Sequence, residues 1–342
     1  MAALATIYDV AQRAKVSAAT VSRVVNGRSS VDPALVARVR EAMRELDYRP
    51  NAVARNLRRN RTSLWAVIIS DIGNPFFTTL VRGVEDVAQT SGYSVVLCNS
   101  DEDPVKEHRY IDAALAEQMA GVIISPSGRP AEVHRLLGSR TPVVAVDREL
   151  AGTPVDAVLV DNAHGAERAT AHLVQAGYRR IGCVTGPRRL STATERLRGY
   201  RDALAAAGLP YEEELVRHAD FREAGGYQAM ASLLELACPP DAVFVANNLM
   251  AIGAVRCLVA RGVRMPDELG MVAFDDIPWA SLVRPTLTTV VQPTYELGRA
   301  AARLLADRLA DPSRPPSTVT LPTELRVGES SARAATADPV PG

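Results

Sequence analysis

The chain has 342 residues, 47% of them hydrophobic and 23% charged, enough for two or three domains with their own cores. No apolar run approaches the roughly 18 residues of a membrane span, and the opening MAALATIYDV lacks the layout of an export signal, so a cytoplasmic protein without a membrane partner is expected. Zero net charge conceals a divided chain: residues 1–62 carry 12 Lys and Arg against 5 Asp and Glu, the remainder 27 against 34, which suggests a polyanion-binding head on an acidic body.

In chain order, Thr6-Ile7-Tyr8-Asp9 has the form of a capping box opening a helix with Ile7, Val10, Ala11 and Ala14 on one side. Lys15-Val16 breaks it, and Ser17 caps a second helix, SAATVSRVV, stopped by Asn26-Gly27. Asp32-Pro33 starts a third helix with Val36, Val39, Met43 and Leu46 at helical spacing, and Tyr48 to Pro50 ends it. Three short helices with a tight first turn are the helix-turn-helix layout, whose second helix enters the major groove. At its start, Ala18 and Ala19 can make only close apolar contact, for instance with a thymine methyl, whereas Arg23 one turn on can pair with guanine. Thr6, Ser17, Ser22 and Asn26 are placed for phosphates.

PNAVARNLRRNRT follows, where Asn51 can cap a short helix that is marginal alone. Ordered on DNA, it would offer Leu57 as a minor-groove wedge, with Arg55 and Arg58 along the backbone. From Leu64 short apolar runs alternate with amphipathic stretches, first WAVIIS, SVVLCNS, GVIISPS and PVVAVD, then RIGCVTG, LVRHADF, AVFVANN and LGMVAFDD. The rhythm predicts two α/β domains with parallel sheets. Polar residues recur where these strands end: Asp71, Asn99, Asp101, Ser125, Asp147, Asp220, Asn247, Asp275 and Asp276. Ligands bind outside the carboxyl ends of such strands, so these residues are expected to converge on one cleft.

Carboxylate and amide acceptors at Asp147, Asp275 and Asn247, donors at Arg148 and Arg196, and ring faces from Phe76, Phe77 and Phe221 suit a sugar. Phe221 with Thr192 and Arg196 would also suit a purine or nucleoside. Trp279 would line or close the cleft. No catalytic motif, phosphate loop or metal spacing is found among the five histidines, so no enzyme, metal or cofactor is expected. Cys98, Cys183, Cys238 and Cys257 read as buried thiols.

The head, TIYDVAQRAKVSAATVSRVVNG with PNAVARNL, resembles the lactose-repressor (LacI/GalR) family of bacterial transcription regulators. DIGNPFF, VDRE, VDN, ERLRGY, VANNLMAIG and FDD resemble the same family and its periplasmic sugar-binding relatives. The resemblance implies a periplasmic-binding-protein-like core of two doubly wound parallel-sheet subdomains behind an all-α helix-turn-helix domain and a hinge helix. It puts base contacts on Ala18, Ala19 and Arg23, the minor-groove lever on Leu57, and effector contacts on Phe76, Phe77, Asp147, Arg196, Phe221, Asn247 and Asp275. Asn248 departs from the family's usual Asp, Ala273 from a common Gly, and Tyr178 from a frequent His.

The expected boundaries are a DNA-binding domain at 1–50, a hinge at 51–62, a core at 63–330 and a flexible tail at 331–342. Within the core, one subdomain takes about 63–162 and 291–322, the other about 163–290 and 323–330. The expected protein is a repressor, a homodimer on double-stranded operator DNA and nucleoid-associated when bound, controlled by a small-molecule effector. A non-regulatory sugar-binding protein would need an export signal and no basic head.

Overall fold

The computed structural model describes residues 5–25, 31–48, 62–128, 130–150, 152–277, 282 and 284–333. Asn26, Asn51, Arg55, Leu57, Arg58 and Trp279 lie outside them, as do most of the expected hinge and the chain beyond 333.

By internal contacts the chain divides into Met1–Arg61 and Thr62–Gly342. In the first unit α1 (Ile7–Ala14) is held by a reciprocal box in which the Asp9 carboxylate accepts from the Thr6 backbone at 2.7 Å and the Thr6 hydroxyl accepts from the Asp9 backbone. Lys15 ends it in the left-handed region at φ 51°. That turn lets α2 (Ala18–Val25) begin three residues later, its first turn tied down by Ser17 Oγ accepting from Thr20 at 3.1 Å. The Asp32 carboxylate caps α3 (Pro33–Glu45), accepting from Ala34 at 2.7 Å. Val10, Ala14, Val21, Val24, Val39 and Ala42 form the small core.

The second unit holds two six-stranded sheets. Lobe 1 comprises β1 (Leu64–Ile69), β2 (Ser94–Asn99), β3 (Gly121–Ile124), β4 (Val143–Val146), β5 (Asp156–Val160) and β11 (Thr318–Leu321), with α4 (Pro75–Thr90), α5 (Pro104–Ala116), α6 (Pro130–Gly138) and α11 (Thr294–Ala310). Its sheet, in the order β11-β5-β4-β3-β1-β2, is parallel throughout. Lobe 2 comprises β6 (Ile181–Thr185), β7 (Val216–His218), β8 (Ala242–Val245), β9 (Gly270–Phe274), β10 (Thr288–Val291) and β12 (Glu324–Arg326), with α7 (Asn162–Gln175), α8 (Ser191–Ala206), α9 (Glu223–Leu234) and α10 (Asn248–Arg261). Its order is β12-β10-β9-β8-β6-β7, with only β12 antiparallel. Central strands such as GVII, VVAV, AVFV and GMVAF are buried along their length because helices cover both faces. The chain crosses between lobes three times, after β5, β10 and β11.

Within each lobe, helix pairs approach closely at glycine. A methyl at Gly298 of α11 would stand 2.0 Å from the Leu80 carbonyl oxygen of α4, and one at Gly253 of α10 would stand 1.9 Å from that of Glu223 in α9. Two sequence expectations are corrected. Cys238 is exposed, because it follows the end of α9 in a loop instead of continuing the apolar face, while Cys98, Cys183 and Cys257 are buried. The tail expected to fray from residue 331 is anchored at its start. Ser331 is buried against Thr288 at 2.6 Å and His172 at 2.8 Å, and Arg333 donates to the Gly177 carbonyl at 2.9 Å.

Gly298→Ala sets a helix-propensity gain of about 0.5–1 kcal/mol against an overpacking cost of about 1–3 kcal/mol. The backbone contact cannot yield as a side chain would, so a net loss of stability is expected in urea unfolding; an unchanged or raised midpoint would contradict the close helix approach.

Candidate effector cleft and DNA-reading helix

On the head, α2 buries Val21 and Val24 and turns Ser17, Ala19 and Arg23 outward, with Ala18 and Ser22 half-buried on the same helix. Thr6 is exposed at the start of α1. The helix therefore offers solvent a small-residue first turn followed by one guanidinium. The Arg38 guanidinium donates to the carbonyls of Ala14 and Lys15, fixing the turn that aims α2.

In the second unit, Asp71, Phe76, Phe77, Asp147, Arg148, Thr192, Arg196, Phe221, Asn247 and Asp275 all line one cleft between the lobes. The space among these residues comes to about 470 Å³ with its opening to solvent included, but the lobes stand nearly closed over it, leaving about 40 Å³ of open cavity. Asp147 and Asp275 follow the fourth strand of their respective lobes, β4 and β9, and both take up left-handed backbone, at φ 70° and 71°. Phe221, after β7, does the same at φ 62°. Non-glycine residues held there cost of order 1–3 kcal/mol each, strain that collects at functional sites.

The charged groups are almost wholly buried. Asp147, Arg148, Arg196 and Asp275 retain 6%, 4%, 3% and 6% of their surface. Arg196, on α8, donates to Asn162 Oδ1 at 2.8 Å and to the Ala246 carbonyl at 2.7 Å, stacks on Phe274 at 3.7 Å and stands 3.8 Å from Asp275. Arg148 donates to Glu102 Oε2 at 2.9 Å and to the Pro126 carbonyl at 3.2 Å, while its Nε lies 3.4 Å from Asp147 without hydrogen-bond alignment. Burial pushes the carboxyl groups of Asp147 and Asp275 above their usual range, against the pull of Arg148 and Arg196 on the first and of Arg196 and Gln292 on the second. Burial also lowers Arg196. Arg148 goes the other way: burial, its largest single influence, lowers it but is outweighed by Glu102, Asp147 and Glu107 together.

Phe76 and Phe77 enter in the first turn of α4, edge to face at 5.0 Å, behind an Asn74 cap. The Phe221 ring sits directly over Gly186, where a Cβ would come within 2.2 Å of it, and Asn247 Nδ2 donates to the Phe221 carbonyl at 3.2 Å. Thr192 lies in the first turn of α8.

Five more residues line the cleft: Asn74, Glu102, Asp220, Arg222 and Gln292. Asp220 is among the strand-end residues noted in the sequence. Asn74 stood in DIGNPFF, where the structure shows it capping α4, and Glu102, Arg222 and Gln292 carry no signal beyond following β2, β7 and β10. Of the other strand-end residues, Asn99, Asp101, Ser125 and Asp276 do not reach the cleft, which corrects the expectation that all converge. Asn99 accepts from the Ile72 backbone, the Asp101 side chain binds Lys106, Ser125 donates to Asp147 at 3.3 Å, and Asp276 turns out to Arg326 at 2.9 Å.

The lobes touch across the cleft. Asn74 and Asn248 exchange two hydrogen bonds at 3.1 and 2.9 Å, Arg222 donates to the Asp101 carbonyl at 2.9 Å, and the Glu149 backbone donates to Ser191 at 3.1 Å. Arg148 and Gln292, both in the lining, each keep one buried atom, Nε and Oε1, with no hydrogen-bond partner among the described residues, one a donor and the other an acceptor. A ligand rich in hydroxyl groups matches both, since each hydroxyl donates and accepts. Among the described residues no group of histidine, cysteine and acid side chains could hold a metal ion, and no helix is long and apolar enough to cross a membrane.

A helix-turn-helix head joined to a two-lobed small-molecule cleft defines an effector-responsive DNA-binding transcriptional regulator. Residues 6–51 match the family model for bacterial regulatory proteins of the lacI family, and residues 170–331 match the periplasmic binding protein-like domain. The ribose operon repressor of Halalkalibacterium halodurans is 37% identical over 96% of this chain and 97% of its own length. The chain belongs to the lacI family, whose members are regulators and not enzymes.

Similar solved structures include a lac repressor dimer bound to operator and the anti-inducer ONPF (TM-score 0.84, 28% identity, 97% of this chain and 100% of that one). The transcriptional regulator CelR in complex with cellobiose is also similar (TM-score 0.73, 35% identity, 95% and 99%). So is a regulator from Enterococcus faecium with bound ribose (TM-score 0.72, 29% identity, 80% and 100%).

Arg23→Ala is expected to flatten sequence discrimination by roughly 1–3 kcal/mol while leaving small-molecule binding intact. Anisotropy titration of operator against scrambled DNA reads this; an unchanged preference would move base reading away from Arg23.

Proposed function

We propose that this protein is a cytoplasmic homodimeric repressor whose operator affinity is set by a monosaccharide, an aldopentose such as ribose, bound between the two lobes. The observation that carries the reading is the lining of the cleft. Two buried carboxylates, two buried guanidinium groups and the amides of Asn247 and Gln292 surround a space walled by Phe76, Phe77 and Phe221. Alternating donors and acceptors around a ring-sized space with aromatic faces suit vicinal hydroxyls on one sugar ring. Relatives named as ribose operon repressors and the ribose-bound E. faecium regulator support the same choice. A purine would stack on Phe221 and meet Asp147 and Asp275 with N–H donors, and a nucleoside would add ribose hydroxyls, so the ligand panel below includes purines.

In this reading Asp147, Asp275 and Asn247 accept from ring hydroxyls, Arg148 and Arg196 donate to ring oxygens, and the phenyl rings cover the faces. Asp71 stands at the rim and Thr192 at the α8 end. Thr6, Ser17, Ser22, Asn26, Asn51, Arg55 and Arg58 contact phosphates and sugars of the DNA, Ala18, Ala19 and Arg23 contact bases, and Leu57 wedges the minor groove. Ligand shifts the balance between two lobe arrangements, and with it the spacing at which the hinge segments of two protomers pair. Operator affinity changes by a coupling of typically about 1–3 kcal/mol. The nucleoid is then its working location.

The testing experiment is thermal unfolding of the full-length protein against pentoses, hexoses, their phosphates and purines. Ligand at 100 times its Kd adds about 2.7 kcal/mol of stability. A shift with ribose or another pentose is expected; a shift with purines alone would replace this reading. Asp275→Asn keeps shape but loses a charged acceptor, and is expected to weaken sugar binding by roughly 1.5–3 kcal/mol with DNA binding retained.

The raised carboxyl groups also give a sign for pH. Sugar hydroxyls donate to the ionised forms of Asp147 and Asp275, so binding must expel any proton these groups hold. Affinity is therefore expected to fall as pH drops through their elevated range, with proton release on binding. Calorimetry in two buffers of different ionisation heat measures the proton count, and proton uptake would contradict the assignment.

A further inference from the structure

A second cleft, with about 210 Å³ of open cavity and about 500 Å³ when its opening to solvent is included, lies on lobe 2, lined by Arg188, Ala193, Thr194, Leu197, Arg201 and His218. It shares no lining residue with the effector cleft. Two guanidiniums and an imidazole line it above a floor of two buried apolar side chains, with no carboxylate in the lining among the described residues.

Among the described residues one carboxylate, Glu213, stands against both arginines, at 3.4 Å from Arg188 and 3.9 Å from Arg201. All three side chains are well exposed and such long surface pairs contribute little, although Glu213 also accepts from the Tyr211 hydroxyl at 2.7 Å, a bond it would give up on displacement. Arg201 is nonetheless held in place: it donates to the Tyr211 hydroxyl at 2.6 Å and stacks on that ring at 4.3 Å. His218 is oriented as well, through Nδ1 donating to the Gly186 carbonyl at 3.2 Å, which leaves Nε2 as an acceptor for the P–OH proton of a monoprotonated phosphate.

We infer that this cleft is a binding site for a small phosphomonoester or inorganic phosphate, held by Arg188, Arg201 and His218 in place of Glu213. Planar guanidiniums match phosphate oxygens in pairs, and a pre-oriented Arg201 loses little freedom on binding. Ala193 and Leu197 offer the ester's carbon body an apolar floor. The site is wired to the effector cleft by short links. His218 holds the carbonyl of Gly186, on which the Phe221 ring sits, and Thr194 shares the first turns of α8 with Thr192 and Arg196. The phosphate site stands independently; its influence on the other cleft rests on the pentose reading above.

The test titrates inorganic phosphate and glycerol 3-phosphate into the full-length protein by calorimetry at fixed ionic strength, with chloride as the reference anion. Saturable binding is expected, and tighter glycerol 3-phosphate binding would identify an ester as the occupant, while equal affinities would assign the site to free phosphate. Arg188→Gln should weaken binding about fivefold or more, and Glu213→Gln should tighten it by removing the competing carboxylate. Asp275→Asn, which weakens the sugar cleft, should leave phosphate binding unchanged. Absence of saturable binding, or indifference to both Arg188→Gln and Glu213→Gln, overturns the inference. Tighter phosphate binding in Asp275→Asn, on loss of that carboxylate, would instead put the anion in the effector cleft.

Discussion

The core is organised around a cost, the burial of Asp147, Arg148, Arg196 and Asp275 in the space between two lobes. Charges removed from water are tolerated only when paired and hydrogen-bonded, and the pairing here is incomplete. Arg196 is satisfied by Asn162, Ala246 and the Phe274 ring, yet it stays 3.8 Å from Asp275. Both carboxyl groups remain displaced upward by burial, and both sit on left-handed backbone. A fold optimised for stability alone would fill such a place with apolar side chains. Keeping it polar and strained makes sense if a ligand completes the network, because the groups left short are those a polyhydroxyl molecule supplies.

The same constraint explains why two lobes are needed. Each sheet delivers one carboxylate from the same relative strand, β4 or β9, so the cleft is built by near-duplication with one acid per side. The polar groups around them are tied to the segments that join the lobes. Asn162, which accepts from Arg196, begins α7 directly after the first crossing, and Gln292, which donates to Asp275, lies on the second. A ligand touching Arg196 or Asp275 therefore acts on groups one bond away from the hinge. Rigid sheets with few joining segments convert that into relative motion of whole lobes, as in hinge closure generally.

How much of this was legible in the sequence follows from which signals are local. Capping boxes, the Asp-Pro helix start and the apolar strands are written in adjacent residues, so the head and the strand-helix alternation could be read directly. Asp147, Asn247 and Asp275 were legible because a polar residue ending an apolar strand is a local pattern with a general geometric meaning. Gln292 was not, since its place in the cleft depends on β10 lying beside β9, and Arg222 was not, because its partner is the carbonyl of Asp101, 121 residues away in the other lobe. Asn99 and Asp276 show the converse. They stand at strand ends as their neighbours do, but Asn99 is taken up by the Ile72 backbone, and Asp276, two residues past β9, turns out to Arg326. Cys238 misled for the same reason, its apolar neighbours belonging to a helix that had already ended.

Asn248 shows how the closing contact fits the electrostatics of the cleft. It is buried to 1% and exchanges two hydrogen bonds with Asn74 across the lobes, while its backbone supports Asp275. An aspartate there could accept from Asn74 but not donate, so the reciprocal pair would shrink to one bond and leave Asn74 Oδ1 with only the Phe76 backbone. It would also bring a third buried carboxylate beside Asp275, raising both through like charge and burial. The amide pair closes the lobes with neutral groups of matched donors and acceptors. That leaves the strongly polar part of the balance to the residues that face the ligand.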